Sequence, residues 1–180
     1  AEGRAVSRAD RVAARLAGRE LDLLLITGAT NLRYVTGFTG SNGLAVVGTG
    51  VRRFVTDFRY VEQAAIEVPD FDREQAPPVF LEALGGGWPD GRLRVGFDDD
   101  EVTVRRFGRL REILPETIEL VPASGIVEAE RAIKDAGEVA RIRAAAELAD
   151  RPAACSEHEP SAAHHDRANL DHLAEIESRR

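Results

Sequence analysis

Apolar and polar residues alternate along the first 150 residues in two ways, one typical of helices and the other typical of strands. Leu21–Ile26 is an almost continuous apolar run, as expected of a strand that is buried on both faces. Gly48-Thr49-Gly50 separates two β-branched runs and predicts a hairpin between them. The segments predicted as strands are 21–26, 43–47, 51–56, 71–75, 93–97 and 118–121.

Helical spacing of apolar residues predicts helices before, between and after these strands. Thr30 or Asn31 is expected to cap the second helix, which Gly37 stops. Asp135 and Glu138 have the spacing of a capping box at the start of the last helix. The predicted helices are 6–16, a short one through Tyr34, 59–68, one opened by Pro77-Pro78 and ended by Gly85-Gly86-Gly87, 104–114 and 135–150. Strands and helices together predict an α/β fold, a mixed β-sheet flanked by helices.

Composition narrows the possible functions. The chain has 180 residues, 43% of them apolar, and a formal net charge of −7. This acidity disfavours nucleic acid as a partner, because phosphate backbones are repelled. No apolar run is long enough to cross a membrane, and the single cysteine, Cys155, allows no disulfide within the chain. A cytoplasmic location is therefore expected.

The composition changes abruptly at residue 150. Residues 151–180 contain few bulky apolar side chains before Leu170, so disorder is expected to about Asn169, with a frayed helix after it. This segment holds the chain's metal-ligating residue types Cys155, His158, His164, His165, Asp166 and His172. Their spacing matches no standard structural zinc site, and adventitious nickel binding is the more plausible expectation.

Four stretches, in this order and at this spacing, resemble a known family. They are NLRYVTGFTGSNG (31–43), TDFRYVEQA (56–64), VGFD (95–98), and RAIK (131–134) followed by Glu138, Ile142-Arg143 and Ala145. The family is that of creatinase, prolidase and aminopeptidase P, and within it the match is to the bacterial aminopeptidase P branch. The resemblance covers about Val6 to Asp150.

The resemblance implies a non-catalytic N-terminal domain with a ribonuclease-H-like α/β fold, here residues 1–132. In the family, a C-terminal pita-bread domain binds two divalent metals (Mn, Co or Zn) with two Asp, one His and two Glu, and cleaves peptides with proline at the second position. Residues 133–150 resemble the first helix of that domain, and 151–180 resemble none of it. We therefore expect a chain cut off before the metal ligands, inactive alone, with a frameshift as the leading explanation of the tail. Expected partners are a second copy, forming a homodimer, or a separate catalytic domain.

Residues 38–43 form the loop that, by resemblance, borders the active site, often that of a neighbouring subunit. Phe38, Thr39, Gly40 and Ser41 are the substrate-proximal residues that the resemblance implies. The creatine-hydrolysing relatives have arginine where Gly40 stands, so creatinase activity is not supported. A purely structural turn remains the alternative, and it is favoured for the isolated domain.

Three other features suggest sites but have simpler explanations. Asp57, Arg59 and Tyr60 follow a strand, where an ion pair or helix cap is far commoner than a catalytic dyad. The run Asp98–Glu101 could bind Mg²⁺ or Ca²⁺, but it lacks the spacing of a calcium loop and is expected to be a solvated turn. The glycines at 85–87 lack a phosphate-binding pattern.

Three functions stay open at this stage. The first is the N-terminal domain of an aminopeptidase P-like protein, which shapes the substrate entrance and supports dimer contacts. The second is a stand-alone protein-binding or dimerisation module without a catalytic domain. The third, ranked last, is a nuclease suggested by fold analogy alone.

Overall fold

The helices and strands follow the sequence pattern closely. The structure is a computed structural model that describes residues 6–150, and the chain divides into two units, Ala1–Lys134 and Asp135–Arg180. In the first unit, the α-helices are α1 (Arg8–Leu16), α2 (Ala29–Thr36), α3 (Val61–Glu67), α4 (Val104–Ile113) and α5 (Ile126–Ala132). Its strands are β1 (Leu23–Ile26), β2 (Gly43–Gly48), β3 (Val51–Thr56), β4 (Asp72–Gln75), β5 (Leu93–Phe97) and β6 (Ile118–Pro122).

The strands form one mixed sheet in the order β4-β3-β2-β1-β5-β6. β2 pairs antiparallel with both β1 and β3, whereas the pairs β3–β4, β1–β5 and β5–β6 are parallel. The predicted hairpin is confirmed, with Gly48 opposite Val51 and Gly50 at φ 73° in its turn. The predicted α/β class, a mixed sheet flanked by helices, is therefore confirmed.

Each face of the sheet has its own apolar core. One face packs against α1, α2 and α5, through buried side chains that include Val12, Leu32 and Val127. The other face packs against α4 and a 3-10 helix, Phe80–Gly85, through Leu84 and Leu110 among others. All four residues of β1 are buried, as its continuous apolar run predicted.

The ends of α1 and α2 show how local chemistry sets the helices. The Ser7 hydroxyl accepts a hydrogen bond from the Asp10 amide, and the Asp10 carboxylate accepts one from the Ser7 amide, which completes a capping box. α2 starts after Gly28, which provides no side-chain cap, and it ends at Gly37 with φ 82°. The expected cap at Thr30 or Asn31 is therefore wrong, since both residues lie inside the helix.

Three further details differ from the predicted elements. The segment opened by Pro77-Pro78 is a 3-10 helix, Phe80–Gly85, and the predicted helix at 59–68 begins as a 3-10 turn, Phe58–Tyr60, before α3. α5 was not predicted, because it starts after Gly125 in the left-handed region and has no side-chain cap.

In the second unit, the predicted last helix is confirmed as α6 (Ala136–Ala149), with the Asp135–Glu138 capping box. The predictions made for 151–180 lie outside the described residues.

Candidate functional site

The loop between α2 and β2 is held from both ends. At its start, the Thr36 hydroxyl donates to the Leu32 carbonyl (2.8 Å) and accepts from the Phe38 amide (3.1 Å). At its far end, the Thr56 hydroxyl donates to the Asn42 carbonyl (2.6 Å). Both threonine side chains belong to regular elements, so the loop begins and ends at fixed points.

Phe38 anchors the loop in the core. Its side chain is only 1% exposed, and its ring lies edge-on to Phe54 (4.9 Å between centroids) and Tyr60 (5.7 Å). Gly40 lies against the same rings, because a Cβ at this position would come within 2.3 Å of Phe38 Cζ and 2.9 Å of Tyr60 Cδ1. Of the four predicted substrate-proximal residues, only Thr39 and Ser41 are therefore exposed.

Thr39 is bound by a carboxylate from α3. Its amide donates to Glu67 Oε2 (2.7 Å) and its hydroxyl to Glu67 Oε1 (2.7 Å). Gln63 donates to the hydroxyl of Thr39 (2.8 Å) and to Glu67 Oε1 (3.1 Å). The hydroxyl and then the amide of Thr39 hold the pKa of Glu67 below its usual range.

Asp57 ties the other side of the loop to the turn before α3. Its carboxylate accepts from the Arg59 guanidinium (2.7 and 3.0 Å), the Arg59 amide (2.9 Å) and the Asn42 amide group (2.6 Å). The Arg59 guanidinium, followed by Asn42, holds the pKa of Asp57 far below its usual range. The Asp57 carboxylate in turn raises the pKa of Arg59. The hydroxyl groups of Tyr60 and Ser41 are hydrogen-bonded at 2.7 Å.

This geometry positions a loop and offers no acid–base chemistry. A carboxylate that stays ionised and paired is a poor proton acceptor, because its pKa lies far from the working pH of a general base. Asp57 and Arg59 form an ion pair, and Asp57 caps the following 3-10 turn, whereas the Tyr60 hydroxyl contacts Ser41. What the loop touches outside the chain stays a prediction.

Exposed apolar side chains adjoin this polar network in sequence. Phe58, directly after Asp57, is 74% exposed, and Ile66, directly before Glu67, is 81% exposed. Val61, at the start of α3, is 41% exposed. Exposed apolar side chains that gather into a patch are typical of contact surfaces, and these three are close in sequence.

Comparison with known proteins shows the family. The sequence pattern of the Creatinase/Prolidase N-terminal domain matches residues 8–133. The chain belongs to this family. An uncharacterised peptidase of Bacillus subtilis, YqhT, is 37% identical to this creatinase/prolidase N-terminal domain over 131 residues, which are 72% of the chain. The chain matches only 37% of the length of that relative.

Solved structures agree with this assignment. The N-terminal domain of the cytoplasmic peptidase PepQ from Mycobacterium tuberculosis is 34% identical, with a TM-score of 0.60, over 68% of this chain and 96% of that domain. A Xaa-Pro dipeptidase from Bacillus anthracis is 24% identical, with a TM-score of 0.74, over 94% of this chain and 42% of that one. The second likeness shows the shared fold.

A second polar cluster of this creatinase/prolidase N-terminal domain was not predicted. Asp98, directly after β5, is 2% exposed, so the acidic run 98–101 is not the solvated turn that was expected at its first position. The amide nitrogen of Asn31 donates to Asp98 Oδ2 (3.2 Å) and to Glu128 Oε1 (2.5 Å), while its oxygen accepts from Arg131 (3.0 Å). Asn31 and Arg131 both lie in the family-like stretches, but nothing local in the sequence indicates that they meet.

Burial dominates the chemistry of Asp98. It raises the pKa of this carboxyl to about 6, against the hydrogen bond from Asn31, and the negative charges of Glu128, Glu101 and Asp99 add to the rise. Asp98 Oδ1 is buried and has no hydrogen-bond partner in the structure. By contrast, Asp99 accepts from the Ser124 amide (2.9 Å), and this bond lowers the pKa of Asp99.

The remaining candidates offer no site within the described residues. Across 6–150, no three His, Cys, Asp or Glu side chains are arranged to hold a metal ion, so the family's two-metal centre does not fit the residues described. Cys155, His158, His164, His165, Asp166 and His172 lie outside that range. Among the glycines at 85–87, the Gly86 carbonyl accepts a hydrogen bond from Arg53 (2.6 Å), and a Cβ at Gly87 would lie 2.9 Å from Arg53 Cζ. In the described part of the chain, no helix is both long and apolar enough to span a bilayer.

Proposed function

We propose that this chain is the non-catalytic N-terminal domain of a Xaa-Pro aminopeptidase- or prolidase-type metallopeptidase. Its loop 38–43 would border the substrate entrance of a catalytic domain and contribute to dimer contacts. The family assignment supports this role, and so do the names of the similar proteins, a peptidase, a cytoplasmic peptidase and a Xaa-Pro dipeptidase. The name of one of them, the cytoplasmic peptidase PepQ, supports a cytoplasmic location as part of the proposal.

The construction of loop 38–43 is the observation that carries the proposal. Phe38 anchors it in the core, while Glu67 and Asp57 hold its two sides by hydrogen bonds. Thr39 and Ser41 stay exposed between these fixed points. A positioning loop is expected to be rigid and to present a few exposed polar groups. Binding of a partner or substrate then costs less conformational entropy, because the loop is already ordered.

The described residues supply no place for the two metals of the proposed activity. The centre would lie in a catalytic domain, where the metal pair activates a water and polarises the scissile carbonyl. The chain's own contribution would be to shape the entrance and exclude water beside it, and we propose that it has no peptidase activity by itself.

The direct test is turnover of a Xaa-Pro dipeptide and a Xaa-Pro tripeptide by the purified 180-residue chain, with and without Mn²⁺, Co²⁺ or Zn²⁺. We expect none with any metal. Metal-dependent turnover that persists after a second purification step would show that the chain builds its own centre, and the proposal would be wrong.

The entrance role needs a catalytic domain. A chimera can carry residues 8–133 of this chain in place of the segment of the Bacillus subtilis relative that aligns with them; the two proteins are 37% identical over 131 residues. If that chimera cleaves Xaa-Pro peptides, Thr39→Ala should raise its KM several-fold and change kcat less, because a loop at the entrance acts on binding. Thr117→Ala removes the same atoms from an exposed turn before β6 and should leave KM unchanged. Equal effects of the two substitutions would contradict the entrance role.

The exposed apolar residues favour one alternative, a stand-alone protein-binding or dimerisation module. Phe58 and Ile66 are 74% and 81% exposed, and such side chains are commonly covered in an assembly. Sedimentation velocity of the chain distinguishes the cases. Two results together would favour the module. The chain would form a defined dimer that Ile66→Asp dissociates, and Thr39→Ala would leave the KM of the chimera unchanged.

A further inference from the structure

The cluster around Asn31 joins three parts of the fold that are far apart in sequence. Asn31 lies in α2, Asp98 follows β5, and Glu128 and Arg131 lie in α5. One amide nitrogen donates to both carboxylates, and the amide oxygen accepts from the guanidinium. The orientation of the amide is thereby fixed, since turning it over would place its oxygen against two carboxylates and its NH₂ against Arg131.

The charges in the cluster do not balance when both bridged carboxyls are ionised. Asp98 is 2% exposed, and its Oδ1 atom has no hydrogen-bond partner in the structure. The negative groups that act on it are Glu128 from α5 and Asp99 and Glu101 from the segment after β5. The one cation in the cluster, Arg131, reaches Asn31 and not Asp98. A buried carboxylate in these surroundings is costly, and one proton removes most of that cost.

We propose that Asn31, Asp98, Glu128 and Arg131 form a pH-sensitive clasp, which holds α5 tightly to α2 when Asp98 is protonated and more weakly when Asp98 is ionised. The clasp connects α2, which leads directly into loop 38–43, with the last helix of the first unit. Burial raises the pKa of Asp98 to about 6, so the clasp would change state in weakly acidic solution.

A second anchor of α5 provides an internal comparison. Glu130 accepts hydrogen bonds from Arg11 (2.9 Å) and Arg15 (2.5 Å) of α1. Burial alone would raise the pKa of Glu130, but these two arginines lower it overall. Glu130 is therefore ionised throughout the range in which Asp98 titrates, and its hold on α5 should not depend on pH there.

Hydrogen exchange of the full chain tests the clasp. Amide protection in 126–132 is measured at pH 5 and pH 7.5, with the intrinsic exchange rates divided out. If Asp98 regains its ordinary pKa of 3.8 in the open state, protection should fall about tenfold between the two pH values. Asp98→Asn should abolish this pH dependence, because the amide cannot ionise. Glu130→Gln should lower protection by the same factor at both pH values.

Carboxyl ¹³C NMR of the unsubstituted chain gives an independent measurement that does not require any variant to fold. The Asp98 signal should titrate with a midpoint near pH 6, whereas that of Asp99 should titrate below the usual aspartate range. An Asp98 midpoint below about pH 4.5 would overturn the proposal, taking the ordinary range of aspartate as reference. So would a change in α5 protection that Asp98→Asn leaves intact.

Discussion

Gly40 shows at the residue scale how packing, and not turn geometry, can require glycine. Its φ angle is not in the left-handed region, so another residue would find no backbone strain there. The obstacle is space, since a Cβ would lie 2.3 Å from the ring of Phe38, which is 1% exposed and packs against Phe54 and Tyr60. The glycine-rich sequence predicted a tight loop but could not distinguish between these two reasons.

We expect Gly40→Ala to destabilise the chain by about 1–3 kcal/mol, the usual cost of forcing a methyl group into a packed site. Gly108→Ala is the matched control, because nothing lies within 4 Å of a Cβ at that exposed position in α4. It should be neutral or should stabilise by up to about 1 kcal/mol, through helix propensity. Urea unfolding of the two variants checks both values, and equal effects would show that the Phe38 ring yields freely.

The Asn31 cluster marks the limit of sequence reasoning at this scale. Its members are separated by 67, 97 and 100 positions, so no local pattern connects them. The acidic run 98–101 predicted a solvated turn, because runs of charged residues are usually exposed, and three of its four residues are exposed. Asp98 differs only because it directly follows a buried strand.

At the scale of elements, the strands were the most predictable part of the fold. β1 and β2 have continuous apolar runs, and β3 is rich in β-branched and aromatic residues. The bounds of all three differ from the predicted ones by no more than two residues. The segment Phe80–Gly85 was predicted as an ordinary helix but is a 3-10 helix, and α5 was missed. Both are short, lack a side-chain cap and depend on tertiary contacts, which a periodicity argument does not detect.

Arg53 illustrates such a tertiary contact between elements. From β3 it donates to Glu74 in β4 (2.7 and 3.0 Å), to the Ala83 carbonyl (2.5 Å) and to the Gly86 carbonyl (2.6 Å). A guanidinium can reach these acceptors at once because its donors form a planar fork, which an ammonium group lacks. One side chain therefore links the 3-10 helix and the glycine segment after it to β3 and β4.

We expect Arg53→Lys to raise amide exchange in 80–87 about tenfold, which corresponds to the loss of one or two hydrogen bonds. Arg105→Lys makes the same change at an exposed site in α4 and should leave that segment unaffected. Hydrogen-exchange mass spectrometry of both variants measures the difference. If 80–87 exchanges equally in the two, the segment is held by its apolar contacts alone.

At the scale of the whole molecule, carboxyl groups with opposite pKa shifts shape stability against pH. The Arg52 guanidinium, together with Ser7, lowers the pKa of Asp10 from 3.8 to about 2, so the stability that Asp10 contributes is present above pH 3.8 and lost as the pH falls through about 2. That contribution is small, because the Asp10 side chain is 42% exposed and solvent screens the pair. The contribution of Asp98 to stability changes with pH in the opposite direction, because its pKa is raised.

The stability that Asp98 contributes is complete below pH 3.8, its unfolded value, and is lost as the pH rises through about 6. A rise of about 2 pKa units at a side chain that is 2% exposed corresponds to a loss of about 3 kcal/mol at most. The free energy of unfolding should therefore be highest near pH 4 and fall toward pH 7, whereas salt-bridged carboxylates alone would make it rise.

Urea unfolding at intervals from pH 4 to pH 7.5 tests this profile, with Asp98→Asn and Asp100→Asn as a matched pair. Asp98→Asn should flatten the decline of the free energy of unfolding with pH, because the amide cannot ionise. The unsatisfied buried amide can also lower the free energy of unfolding by about 1–3 kcal/mol, but by the same amount at every pH. Asp100 is exposed, so Asp100→Asn should leave the slope of the unsubstituted chain. A slope that is the same in all three proteins would place the titrating group elsewhere and remove Asp98 from the pH response of the whole domain.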